Sequence, residues 1–304
     1  MSNHRTPAPD WQVRIGANPI GWTNDDFHDL GDATSLESCL AEIRRAGFAG
    51  SELGRKFPRT PGALAAALGA HGLALVSGWH STAVLERELG AELAALDRHL
   101  DLLAALGADV AIVAECSQRI YDDGSQPLSW MRNGDALGPA SWERLARGLE
   151  ALAVHAATRG FRLAYHPHLG TVVQNEAEID ALCDRTAQLG LLVDTGHFAC
   201  AGADPLTLLQ RHAHRVTHVH LKNVRPEIVA AARAGQWSFE RAVRAGVFTV
   251  PGDGGLNFAP ILATLRHTGY RGWLVVEAEQ DPALAPAFEY ASQARAHLRD
   301  VAGI

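Results

Sequence analysis

Four short apolar runs in this chain each end on residues that can hold a metal ion or move a proton. They read F-R-L-A-Y-H-P-H at 161–168, L-L-V-D-T-G-H at 191–197, V-T-H-V-H-L-K at 216–222 and W-L-V-V-E-A-E at 273–279. Carboxylates and imidazoles in this mixture suit a divalent cation such as Mn, Co, Fe, Zn or Mg without choosing among them. Asp194 and Glu277 follow strongly apolar residues, where an unpaired charge is costly to bury and a cation offsets it. Both are therefore expected ligands; the competing readings are a helix cap or core ion pair for Asp194 and a salt bridge for Glu277. The two-residue period of a strand puts His218 with His220, His166 with His168 and Glu277 with Glu279 on common faces. His220, nearer the strand end, is the expected ligand, with His218 a hydrogen-bonded residue one layer deeper and His166 completing the set.

Such groups meet only if successive strands run parallel and end at one rim. The sequence alternates strand-like and helix-like stretches: a strand near 14–18, a helix over 34–46, a strand ending near Glu52, a helix over 61–70 and a strand through Trp79 and His80. A helix over 84–106, rich in Ala and Leu, leads to a strand ending near Glu115. After an irregular stretch at 117–140, Ser141 is the expected N-cap of a helix running to Thr158. Strands at 161–166, 190–194, 216–221 and 272–277 follow, separated by helices over 175–189, 204–213 and 257–267 and by an irregular loop at 222–252; a terminal helix spans 282–301. Eight such units predict a single (β/α)8 TIM barrel over residues 12–304 behind a flexible segment at 1–11, with active-site groups at the C-terminal strand ends. An open doubly wound sheet is the alternative, but the chain lacks the early G-x-G-x-x-G turn of a dinucleotide site.

Composition narrows the partners. The 304 residues are 47% hydrophobic and 20% charged, and 27 basic against 34 acidic side chains give a formal charge of −7. That balance offers no basic footprint for nucleic acid or an anionic membrane, and leaves small molecules and protein partners, a homo-oligomer among them, open. With no apolar run of membrane-spanning length and no hydrophobic signal core, a cytoplasmic location is expected. The cysteines at 39, 116, 183 and 200 lack CxxC spacing and are expected to be free, buried thiols.

Several longer segments carry a family resemblance: N-P-I-G-W-T-N-D-D at 18–26, A-Y-H-P-H-L-G-T at 164–171, D-T-G-H at 194–197, H-V-H-L-K-N-V-R at 218–225, V-F-T-V-P-G-D-G at 247–254 and G-W-L-V-V-E-A-E-Q-D-P at 272–282. In this order they resemble the inosose dehydratases of myo-inositol breakdown, within the xylose-isomerase-like barrels. The resemblance implies a metal-dependent hydro-lyase that converts scyllo-inosose (2-keto-myo-inositol) to 3D-(3,5/4)-trihydroxycyclohexane-1,2-dione, with Mn or Co as the metal and an association with glutathione. Matched onto the family pattern, Asp194, His220 and Glu277 take three ligand positions. His166 stands where the pattern has a glutamate, and Glu115 is the carboxylate placed to substitute.

A metal-polarised ketone acidifies the neighbouring carbon, so a base can remove its proton to form an enediolate while an acid protonates the departing hydroxyl. The resemblance assigns the base to His168. His197 is expected to orient the leaving group, and Lys222 to hold an oxyanion or hydroxyl. Trp22, Asn24, Glu52 and His80 are expected around the cyclic polyol ketone, with Arg119, Trp130 and Phe248 as contacts in the two long loops. The second reading is a keto-sugar isomerase or epimerase, which uses the same enediolate and returns the proton instead of expelling water. A polyol-binding protein without turnover and a metal-dependent endonuclease are weaker alternatives.

Overall fold

The computed structural model describes residues 11–128 and 137–304. Most of the segment at 1–11 and the Trp130 position lie outside the described residues. Along the chain, β1 (Val13–Ala17) leads through a short 3-10 turn to α1 (Leu36–Ala46), followed by β2 (Gly50–Leu53), α2 (Pro61–Ala70), β3 (Ala74–Thr82), α3 (Leu89–Ala104), β4 (Val110–Glu115) and α4 (Pro139–Thr158). Then come β5 (Arg162–Tyr165), α5 (Glu176–Arg185), β6 (Gly190–Asp194), α6 (Thr195–Cys200), α7 (Pro205–Arg211) and β7 (Val216–Leu221). The chain continues with β8 (Asn223–Val224), α8 (Pro226–Ala234), α9 (Phe239–Arg244), β9 (Phe248–Thr249), α10 (Phe258–His267), β10 (Gly272–Val276) and α11 (Ala287–Ala302).

Strands β1 to β7 pair in sequence, and β10 closes the sheet by pairing in parallel with both β7 and β1. This closed eight-stranded barrel rules out the open doubly wound sheet. Local chemistry sets the helix ends. Ser35 caps α1 by accepting the Ser38 amide, and Gly47 ends it at φ 92°, a left-handed conformation open to glycine. Asn175 and Glu178 form a reciprocal capping box on α5. The helices bury leucines such as Leu40, Leu64, Leu96, Leu149 and Leu262 against the outer face of the strands, each contributing about 1.5–3 kcal/mol.

Four expectations about elements need correction. The helix expected from residue 84 starts at Leu89, because residues 84–88 form a turn at the top of β3. Ser141 is not the cap of α4. Gly138 occupies that position and Pro139 the first turn, where its missing N–H costs nothing. The stretch 222–252 is not an irregular loop but folds into helices α8 and α9 between the antiparallel pair β8 and β9, with Ala232 of α8 and Phe239, Ala242 and Val243 of α9 buried. Asp194 also opens an unexpected six-residue helix, α6.

Inside the barrel, side chains stack in layers. Val110, Ile112, Ala164 and Leu192 form one apolar cluster with Trp79, and Val76, Trp273 and Val275 form another. Two residues further along β5, β6 and β10 come His166, Asp194 and Glu277. The alternation is interrupted in β3, where the pairing with β2 shifts register between Ser51 and Leu53. Beyond that irregularity Ser77 and Trp79 face the interior, and His80 stacks on His99 of α3 with ring centroids 5.4 Å apart.

Candidate metal centre and active site

The rim holds a dense layer of buried charge. Lys222, fully buried, lies 3.2 Å from Asp194 Oδ2, 2.6 Å from Glu277 Oε1 and 2.8 Å from Glu279 Oε2. Burial alone would depress its ammonium, but these three carboxylates raise its pKa well above the ordinary lysine value. Gly196 makes room for it, since a β-carbon there would sit 2.5 Å from the Lys222 Cγ. Glu52 occupies the next layer down, where its Oε1 accepts from Ser77 at 2.6 Å and faces His218 Nε2 at 2.8 Å and His220 Nε2 at 3.2 Å. Asn18 bridges the layers, donating to Glu52 at 2.8 Å and to Glu277 at 2.6 Å.

Ring geometry fixes which nitrogen of His166, His168 and His197 carries hydrogen. His166 Nδ1 lies 3.0 Å from the Pro167 carbonyl and His168 Nδ1 2.8 Å from the Leu169 carbonyl. A carbonyl only accepts, so both Nδ1 atoms carry hydrogen and the nitrogen of each ring that can offer a lone pair is Nε2. His166 Nε2 lies 3.5 Å from Asp194 Oδ2. His168 Nε2 lies 4.0 Å from Glu279 Oε1, and burial followed by the nearby His197 and His166 rings holds His168 well below the ordinary imidazole pKa. His197 accepts the Leu169 amide at Nδ1 and turns Nε2 toward Glu279 at 3.4 Å; burial and the Lys222 charge keep it neutral. In His220, Nε2 donates to Glu52 while Nδ1 faces Glu277 Oε2 at 2.9 Å and Asp194 Oδ2 at 3.5 Å. Burial opposes a proton on that ring, but the Glu277 and Glu52 charges outweigh it and raise His220 well above its usual range.

This donor set fits a divalent cation. Asp194 Oδ1 caps α6 by accepting the Gly196 and His197 amides, which leaves Oδ2 facing the cluster. Asp194 Oδ2 and His220 Nδ1 are buried without a well-formed hydrogen bond. Among the described residues, Asp194, Glu277 and Glu279 surround the Lys222 ammonium, and Glu52 and Glu277 flank His220, so carboxylates outnumber the cationic side chains across these two layers. Ligand bonds of about 2.0–2.2 Å set neighbouring donors about 3–3.5 Å apart, the spacing of His166 Nε2 and His220 Nδ1 from Asp194 Oδ2, 3.5 Å each, and of His220 Nδ1 from Glu277 Oε2, 2.9 Å. His166, Asp194, His197 and Glu277 also each offer an atom within 4.8 Å of the others. Glu52 lies behind His220, 3.2 Å from its Nε2, in the kind of carboxylate–imidazole contact that orients metal-binding histidines in general.

A cavity of about 610 Å³, counting its open mouth, lies over this layer and is lined by Asp25, Asp26, Trp79, Tyr121, His168 and Glu279 among others. Several expected pocket residues are elsewhere. Glu115 breaks the inward phase of Val110 and Ile112, and its oxygens accept from Thr82, the Val84 amide and Ser117. It organises the loop after β4 and does not replace a ligand at the rim. His80 faces outward for the register reason above. Trp22 donates to Glu42 at 2.8 Å and lines a separate apolar cavity. Asn24 accepts the Asp26 and Phe27 amides and so shapes the β1 loop without lining the main cavity. Glu52 does reach the cavity, with its oxygens committed to neighbouring side chains. Phe248 packs under the site, 5.1 Å from the His197 ring and 4.8 Å from Lys222 Nζ, while Arg119 pairs with Asp122 nearer the surface. Sequence reasoning missed Asn18, Asp26, Trp79 and Tyr121 as cavity residues, and the partnership of Glu279 with Lys222. The i, i+2 pairing of Glu279 with Glu277 was the available signal. Among the described residues all four cysteines are free, with Cys183 only half-buried, and no helix is long and apolar enough to cross a membrane.

Closed barrel and rim cluster together define a class, the xylose isomerase-like TIM barrels, whose family model matches residues 40–301. The chain is 42% identical over 295 residues to an inosose dehydratase of Geobacillus thermodenitrificans, covering 96% of this chain and 98% of that protein. It is 47% identical over 291 residues to the rhizopine catabolism protein MocC of Rhizobium meliloti, covering 95% and 89%. The chain belongs to the inosose dehydratase family of these barrels. Solved structures share the fold at low identity. D-allulose 3-epimerase from Methylomonas sp. matches with a TM-score of 0.64 at 18% identity, covering 96% of this chain and 99% of that one. The probable 3-DHS dehydratase AsbF from Bacillus anthracis matches with a TM-score of 0.66 at 13% identity, covering 94% and 98%.

Proposed function

We propose that this protein is a metal-dependent hydro-lyase that removes water from scyllo-inosose to give 3D-(3,5/4)-trihydroxycyclohexane-1,2-dione. The observation that carries the reading is the pair of histidines after β5, whose Nδ1 atoms are both tied to carbonyls. One lone pair is turned to Asp194 at the cation cluster, and the other belongs to a neutral ring lining the cavity.

His166, Asp194, His220 and Glu277 would hold the cation, which when bound polarises the substrate ketone and an adjacent hydroxyl. His168 Nε2 takes the carbon-bound proton between the carbonyl and the leaving hydroxyl; its neutral state at physiological pH suits a base. Lys222 is a fixed counter-charge for Asp194, Glu277 and Glu279, because its ammonium is committed to them. His197 holds the loop after His168 through the Leu169 amide and presents Nε2–H to Glu279. Trp79 and Tyr121 close the sides of the cavity, each packing edge-on against His168, and so limit bulk water around the base.

The mixed imidazole and carboxylate donors suit Mn or Co, and the family reading also includes glutathione. Incubation with scyllo-inosose across a series of divalent metals, with and without glutathione, followed by product mass analysis, tests the reading. Loss of one water with Mn or Co supports it. An isomeric product of unchanged mass sinks it in favour of a keto-sugar epimerase or isomerase.

A further inference from the structure

Dehydration needs a proton for the departing oxygen as well as a base, since hydroxide leaves poorly. The rim groups are unsuited to supply it. Lys222 is locked among three carboxylates, Glu279 is paired with it, and Glu115 points out of the barrel. His197 is neutral, and its Nε2–H is turned to Glu279.

Asp26, on the loop after β1, is different. It lines the same cavity as His168 and Glu279, and among the described residues its carboxyl makes no hydrogen bond or ion pair. The loop is fixed from behind. Asn24 Oδ1 accepts the Asp26 amide at 2.8 Å and the Phe27 amide at 2.7 Å, and Arg55 binds the Asn24 carbonyl at 2.8 Å. The backbone is thus pinned while the half-buried carboxyl stays free to meet a ligand.

Building on the dehydratase reading, we propose that Asp26 is the general acid, delivering its proton to the leaving hydroxyl from the β1 side of the cavity. Burial, then the charges of Glu279 and Asp25, push its carboxyl up to about 7, the direction that favours the protonated form a general acid needs. In the step, the C–H bond breaks to His168 Nε2, a C–C double bond forms, and the C–O bond breaks. Its oxygen takes the Asp26 proton and departs as water. The resulting enol ketonises to the dione, His168 gives up its proton, and Asp26 is reprotonated from solvent.

The test uses metal-loaded protein with Asp26→Asn and Tyr121→Phe, Tyr121 being the other cavity hydroxyl. Two rates are read in deuterated water: exchange of the substrate carbon-bound hydrogen, and loss of water. A third assay uses the inosose analogue bearing fluoride at the leaving position, which departs without a proton. Asp26→Asn is expected to lose water about 10²- to 10⁴-fold more slowly, while still exchanging the carbon-bound hydrogen and eliminating fluoride at the wild-type rate. Retained exchange also shows that the variant is folded. Unchanged water loss, or an equal fall in exchange, water loss and fluoride loss, overturns the assignment, as does the same split appearing in Tyr121→Phe instead. Wild-type protein that exchanges hydrogen but expels neither water nor fluoride overturns the dehydratase reading itself.

Discussion

The lower and upper halves of the barrel interior are built from the same strands two residues apart, yet they are chemically opposite. In the lower half Ala164, Leu192 and Val275 pack with Val110, Ile112 and Trp273 into apolar layers. One inward step later the same strands present His166, Asp194 and Glu277, joined by His220 and Lys222. The lower layers close the barrel and give the upper groups a rigid base. The upper layer concentrates like charges at a cost that oppositely charged neighbours, and a bound cation, offset. Stability and chemistry are thereby separated along β5, β6 and β10, while β7 carries His218 one layer deeper against Glu52, and substitutions in the two halves should differ in kind.

His168→Ala gives the largest effect on turnover, a loss of about 10²- to 10⁴-fold as expected for a missing general base, with metal content and thermal midpoint near wild type. Loss of metal in that variant would erase the distinction between ligand and base. Glu52→Gln comes next: weakening the carboxylate behind His220 should cost about 10- to 100-fold in metal affinity, read by metal titration against wild type. Unchanged affinity would mean that Glu52 only fills space. Leu192→Ala, in the lower half two residues before Asp194, should destabilise by about 2–5 kcal/mol in denaturant unfolding while the folded enzyme turns over normally. A large drop in turnover there would break the separation of the halves. His80→Ala is expected to change least, with unaltered turnover and a stability change within about 1 kcal/mol, because the ring faces α3 and not the cavity.

The two halves also differed in how they could be read. Strand ends at Asp194, His220 and Glu277 were legible because a polar residue after an apolar run is conspicuous and a period of two assigns its face. The barrel followed from the same alternation. Glu115 and His80 misled for one reason: both read as strand-end residues in the sequence, but the inward phase passes through Val110 and Ile112 in β4, and through Ser77 and Trp79 after the register shift in β3. A register irregularity arises from pairing with a neighbour and leaves no mark in a single strand. Helices α8 and α9 were hidden because each is short, nine and six residues, and depends on packing over the barrel more than on its own periodicity. The commitment of Lys222 to three carboxylates on other strands is likewise a property of the assembled rim.

In the proposed mechanism, adjacent inward positions after β5 divide the work, His166 toward the cation and His168 toward the substrate proton. The most direct measurement is exchange of the carbon-bound hydrogen of scyllo-inosose with deuterated water, catalysed by His168→Ala protein that has been shown by metal analysis to retain its divalent cation. Exchange is expected to fall to background in that metal-loaded variant. Exchange at the wild-type rate would contradict that division of work.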